Sequence, residues 1–250
     1  PTIPASHQAA SSAAYTGDDV LFDWEAVQVP RGASKLVSAT LITRGADGAT
    51  QAPKDIDIYF AKSINGTAPV TIGNSNATMS AAPIVANHLI GMVHIESGDG
   101  TNASSIDLFQ MQQTGSGAAN SMIPACILEP EVNSGNNVGF DTLYVAASTG
   151  GTFSFGTTVL ARGGTTADGS VAVVETDKGS NDDPNADLIF AVGDVLHSAT
   201  DDVLGTVASI GAFGSSKQDI TFESAIAATI ADNEEIFNVN PLRLILSFEK

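Results

Sequence analysis

One cysteine, one tryptophan, three tyrosines and ten basic residues in a chain of 250 restrict what this protein can do. Cys126 has no second thiol to pair with, so no internal disulfide forms, and a zinc site built from clustered Cys and His lacks its material. Its setting, MIPACILE, is apolar and reads as a small buried side chain. Against 28 acidic residues, the ten basic ones leave a formal charge of -18. A surface of that sign repels phosphate backbones and anionic lipid, so neither nucleic acid nor membrane is an expected partner. The deficit has a location, since no Lys or Arg occurs between Lys62 and Arg162. Apolar runs stay short of the ~18 residues of a membrane-spanning helix, and no signal-peptide layout opens the chain, so no secretory route is expected.

Reactive constellations are equally scarce. No serine sits in a Gly-x-Ser-x-Gly elbow, and the Gly-rich pieces GSGAAN and ARGGTTADGS lack phosphate-loop and dinucleotide spacing, so they read as turns. The four histidines are His7, His88, His94 and His197. His88 and His94, six apart on one predicted strand, would share a face but lie about 20 Å apart, too far for joint ligation. Asp23 with Glu25, and Asp55 with Asp57, are carboxylate pairs about 6–7 Å apart along predicted strands. Glycosidases use such pairs, but they line a cleft with aromatics that this composition lacks, so solvated strand faces explain them. A hard-oxygen calcium loop is the remaining candidate: NDDPNAD offers Asp182, Asp183, Asn185 and Asp187, without the spacing of the helix–loop–helix calcium motif. An ordinary acidic turn is the default there. The expectation is a protein with no catalytic residue, no cofactor and no resident metal.

What is abundant is strand signal and small residues. VLFDWEAVQV, SKLVSATLITRG and DIDIYFAK alternate with period two, the pattern of antiparallel strands with one face in a core. In the first, Phe22, Trp24 and Ala26 are expected on one face. HLIGMVHIES, SIDLFQMQQ and MIPACILE continue the series. The connection over 63–87 is long for a compact domain and rich in Gly, Asn and Pro. After about residue 137 the texture changes to short β runs around glycine corners. The last ten residues again alternate, with Leu242, Leu244, Leu246 and Phe248 on one side and Arg243, Ser247 and Glu249 on the other.

These patterns predict an all-β fold: an antiparallel β-sandwich with an inserted or appended small curved β-barrel. A flexible or extended arm is expected over 1–19, the sandwich over 20–136 plus 241–250, and a second β domain over 137–240 with the barrel at about 186–240. Four apolar side chains on the final strand are too much burial to leave dangling, so that strand is expected at an edge of the sandwich or in a neighbouring subunit.

WEAVQVPRGASKLVSATLI followed by DIDIYFAKS resembles the opening of a β-rich structural protein of tailed bacteriophages, cyanophage and marine-phage types above all. GDVLHSATDDVLGTVASI followed by DITFESAIAATIADNEEIFNVNPLRLILSFEK resembles its closing segment. The two passages cover about half the chain. The resemblance implies a capsid decoration, or cement, protein: a homotrimer on the capsid exterior of the virion, bound to the major capsid protein, with no catalytic residues. The contact elements expected from this are the arm around Pro4 and Tyr15, the 63–87 connection, and the strand carrying Leu242, Leu244, Leu246 and Phe248. The competing readings are a tail or head-fibre component and a carbohydrate-binding attachment module, the latter needing an exposed aromatic platform.

Overall fold

The computed structural model describes residues 1–8, 15–29, 35–44, 55–63, 66–80, 82, 88–95, 100–103, 106–112, 142–156, 158–177, 185–214 and 216–249. The fold is all-β and antiparallel. Sheet I has the order β1-β7-β3-β4, from β1 (Val20–Gln28), β7 (Thr142–Thr149), β3 (Ile56–Lys62) and β4 (His88–Ile95). Sheet II has the order β14-β2-β6-β5, from β14 (Leu242–Glu249), β2 (Lys35–Arg44), β6 (Ile106–Gln112) and β5 (Gly100–Ala103). They share one core. Ile56, Ile58 and Phe60 of β3, with Val145 of β7, meet Leu36 and Leu41 of β2 and Leu242 of β14. The alternation of DIDIYFAK dictates this, because a period of two sends every second side chain to the same face.

A third sheet follows the order β13-β10-β11-β12-β9-β8. It comprises β8 (Leu160–Ala161), β9 (Val173–Asp177), β10 (Val195–Ser198), β11 (Val203–Ile210), β12 (Lys217–Phe222) and β13 (Ile236–Asn238), with the one-turn helix α1 (Ala186–Ile189) beside it. Leu160 is bridged to Glu235, which ties β8 to the approach to β13 and so links the two ends of the sheet. This unit has its own core, from Val159 to Ile236, around Leu196, Leu204, Ile220 and Phe222. Gly205 is needed in it: at φ +150° the backbone excludes ordinary residues, and a Cβ there would meet Phe222 Cδ1 at 3.2 Å.

The boundary falls later than the sequence indicates. Residues 142–149, expected in the second domain, form β7, which pairs with both β1 and β3 in sheet I. Phe153 and Phe155 belong to the sandwich core, with their rings 4.8 Å apart at 86°. The Gly-Gly corner that follows β7 is tight: a Cβ on Gly150 would sit 2.7 Å from Asp55 Cβ. The chain enters the six-stranded unit near Val159 and leaves it after β13, and Val159 is joined to Ile236, the first residue of β13, by a backbone hydrogen bond of 3.0 Å. β14 then pairs with β2 over eight register positions, Leu242↔Thr43 to Glu249↔Lys35.

Two further expectations change. Register shifts in β1 between Val20 and Phe22 and between Phe22 and Glu25 break its alternation. Phe22 therefore enters the shared core, while Trp24 joins Val20, Ile72 and Ala146 in a separate cluster. A bulge adds a residue without a cross-strand partner, and every side chain beyond it changes face. The arm is also not loose where it is described. Ile3 is fully buried and donates its N–H to Val239 O at 3.1 Å, and Ala5 packs against Phe237.

Candidate functional site

Chemistry-bearing side chains do come together on sheet I. Asp57 lies opposite His94 on one side and Ser148 on the other. His94 Nδ1 is 2.6 Å from Asp57 Oδ1. Ser148 is 1% exposed, and its hydroxyl meets Tyr59 Oη at 3.0 Å. The carboxylate thus stands between imidazole and hydroxyl. Activating a serine needs the imidazole in that middle place. The arrangement is a cross-strand lock rather than a nucleophile and its base. A register shift between Phe60 and Ala61 interrupts the even spacing that relates His88 to His94.

The carboxylate pairs separate. Asp23 Oδ1 accepts the Ile72 N–H at 3.0 Å, holding part of the long connection against β1, while Glu25 is exposed. Trp24 Nε1 donates to Val70 O at 2.9 Å in the same contact. That ring is therefore half-buried under residues 66–80 and forms no sugar platform. This stretch, expected to reach a partner, lies against its own β1: Val20 N–H donates to Ala77 O, and Asn76 N–H to Val20 O.

A polar knot ties the arm to the rest. Asp201 Oδ1 accepts the Ala5 N–H at 2.6 Å and lies 3.1 Å from His197 Nδ1. Gln8 Nε2 donates to Ile3 O at 2.7 Å and Asn238 O at 2.8 Å. His7 Nδ1 and Tyr15 Oη each lie 3.1 Å from Ser75 Oγ. Burial holds the His7 imidazole below its ordinary value, with Asp201 pulling the other way. Tyr15, expected as a contact residue, is fully buried among Phe153 and Phe155. Its backbone bridge to Phe153 draws it into the core. Pro4 is half-buried beside that anchored segment.

Burial pushes the Tyr15 phenol up to about 12, with the Ser75 hydrogen bond opposing and Asp19 reinforcing. The unfolded phenol titrates near 10. The folded value is the higher one, so this contribution to stability is complete below about pH 10 and is lost as pH rises towards 12. Near-ultraviolet phenolate absorbance is expected to show Tyr15 ionising together with the loss of the folded circular-dichroism signal. Ionisation of all three tyrosines near pH 10 with the fold intact would refute this.

Of the calcium candidates, Asp182 and Asp183 lie outside the described residues, as does Cys126. Asn185 precedes α1 and Asp187 is exposed on its first turn. Among the described residues, no group of three or more His, Cys, Asp or Glu side chains is placed to hold a metal, and no helix is long and apolar enough to cross a membrane.

Among the described residues, what remains open is the edge of the sandwich where β1 and β14 face one another. A cleft of about 480 Å³ lies between them. Phe22, Val27 and Val145 form its sheet I wall, and Leu244, Leu246 and Phe248 its sheet II wall. Glu25 and Gln28 supply polar groups. Leu242, grouped with those leucines in the sequence reading, is 2% exposed and belongs to the core. The other three are half-buried and Ile245 on the opposite face is 44% exposed. β14 bonds to β2 and to no other strand among the described residues. The β14 wall was legible as an apolar stripe; Val27 and Val145 were not, because the bulges in β1 and the placement of β7 decide which way they face. The chain matches no protein-family model, no curated protein and no solved structure.

Proposed function

We propose that this protein is a non-enzymatic virion component that sits on the outside of a phage capsid shell and cements neighbouring major capsid subunits. The observation that supports the reading is the β14 edge. An eight-residue strand borders an open apolar cleft on a strongly acidic molecule, while Asp57, His94, His197 and Asp201 are engaged in contacts within the fold. An unpaired edge is a liability for a protein that works alone, since its free N–H and C=O groups recruit other strands. In an assembly it is a docking device. Cementing asks for many modest contacts acting together, and no reactive centre.

The test is localisation in purified virions by electron microscopy and labelling. Regular density on the shell lattice is the expected result. Density confined to the tail or to projecting fibres, or absence from the particle, would overturn the reading. Purified protein added to undecorated shells should also raise the temperature at which they release DNA.

A further inference from the structure

Among the described residues β14 is the outer strand of sheet II, and its residues are regular from Leu242 to Glu249; at its one register shift the unopposed residue is Val37 on β2. We infer that a second copy of this chain occupies that edge, with β14 running antiparallel to β14 of its partner about a two-fold axis at Leu246. The inference rests on the reading of this edge as a docking edge and names its occupant.

The strand is complementary to its own reverse. With Leu246 opposite itself, Leu244 falls opposite Phe248 and Ile245 opposite Ser247. Arg243, the exposed cation of the strand, falls opposite the exposed Glu249, and the symmetry makes this contact twice. Shifting the axis to Ile245 leaves Arg243 opposite Ser247, and shifting it to Ser247 places Arg243 opposite a position beyond Glu249, where β14 ends. Of these three axes, only the one at Leu246 pairs the charges, and it engages the strand from Arg243 to Glu249. Directly opposed unlike charges and apolar pairs are the contacts that stabilise antiparallel neighbours. On the cleft side, Leu244, Leu246 and Phe248 of each copy then extend one apolar stripe across the junction.

The charge distribution selects the same edge. With a net charge of -18, two copies repel over most of their surfaces. β2 and β14 together carry Lys35, Arg44 and Arg243 against the single acid Glu249. The other wall, β1, carries Asp23 and Glu25 and no base, so a β1 pairing would oppose like charges. The dimer presents two equivalent units to two shell subunits, a two-fold clamp in place of the three-fold arrangement that the phage resemblance implies.

Light scattering after gel filtration, at about 0.15 M salt where long-range repulsion is screened, tests the inference. At up to roughly 100 μM, a micromolar dimer is fully formed. A dimer is expected. Arg243→Glu should raise its dissociation constant about ten-fold or more, and Arg243→Glu with Glu249→Arg should restore it. In a Cys126→Ser background, Leu246→Cys should give a disulfide-linked dimer, because only that residue meets its own copy. A monomer, a trimer, or a dimer indifferent to Arg243→Glu and uncrosslinked by Leu246→Cys would each overturn the inference. Shell density from a protein that is monomeric in solution would leave the cementing role standing and remove the dimer. A solution dimer absent from virions would do the reverse.

Discussion

A chain ending at Pro241 is expected to lose the cooperative unfolding transition of the sandwich. β14 supplies one fully buried leucine and three half-buried apolar side chains to a core that spans both sheets. Full burial of such a side chain contributes ~1.5–3 kcal/mol, and counting the partly exposed ones at half gives about 5 kcal/mol. Removing the strand also strips eight paired positions from β2 and turns an inner strand into an edge. A domain's net stability is about 5–15 kcal/mol, so the loss is of the same order as the whole. Trp24, the one tryptophan, lies on sheet I and reports on the sandwich by its fluorescence. In urea the truncated chain should show its emission already shifted to that of exposed tryptophan. An unchanged midpoint would mean that β14 is an accessory to the fold.

Phe155→Ala is expected to destabilise the same unit by ~3–5 kcal/mol, the usual cost of deleting a large buried aromatic. The side chain is fully buried and packs edge-on against Phe153 and Tyr15. This substitution separates the observed boundary from the one drawn at residue 137. If Phe155 belongs to the sandwich, Trp24 fluorescence should follow the loss, and the six-stranded unit, with its separate core from Val159 to Ile236, should keep its own transition by circular dichroism. Loss of the six-stranded unit with the sandwich spared would reverse the assignment of residues 142–155.

Both the truncation and the substitution act where sequence and structure meet, and the two differ in how far the sequence reached. Leu242 to Glu249 is legible because alternation is local: side chains two apart share a face whatever the strand pairs with. That Ile56, Ile58 and Phe60 are buried was equally readable, as was the all-β class. Trp24 was not, because β1 carries two register shifts that no local pattern announces. Tyr15 was misread for a related reason. PTIPASHQAASSAAYTGDD has the composition of a loose arm, but a tyrosine with a backbone bridge to Phe153 and a hydroxyl partner in Ser75 is held by residues 138 and 60 positions away.

The amino-acid sequence alone therefore settles composition-level matters for this protein: strands rather than helices, an acidic exterior, and which side chains within a strand share a face. Tertiary structure decides which strands are neighbours, that residues 142–155 belong to the first unit, and that β1 and β14 border one open cleft. The physical reason is range. Alternation is fixed by backbone geometry over a few residues, whereas pairing is chosen by competition among all strands for a common core. That competition draws on residues as distant as Leu36 and Phe248, which lie opposite one another although they stand 212 positions apart in the chain.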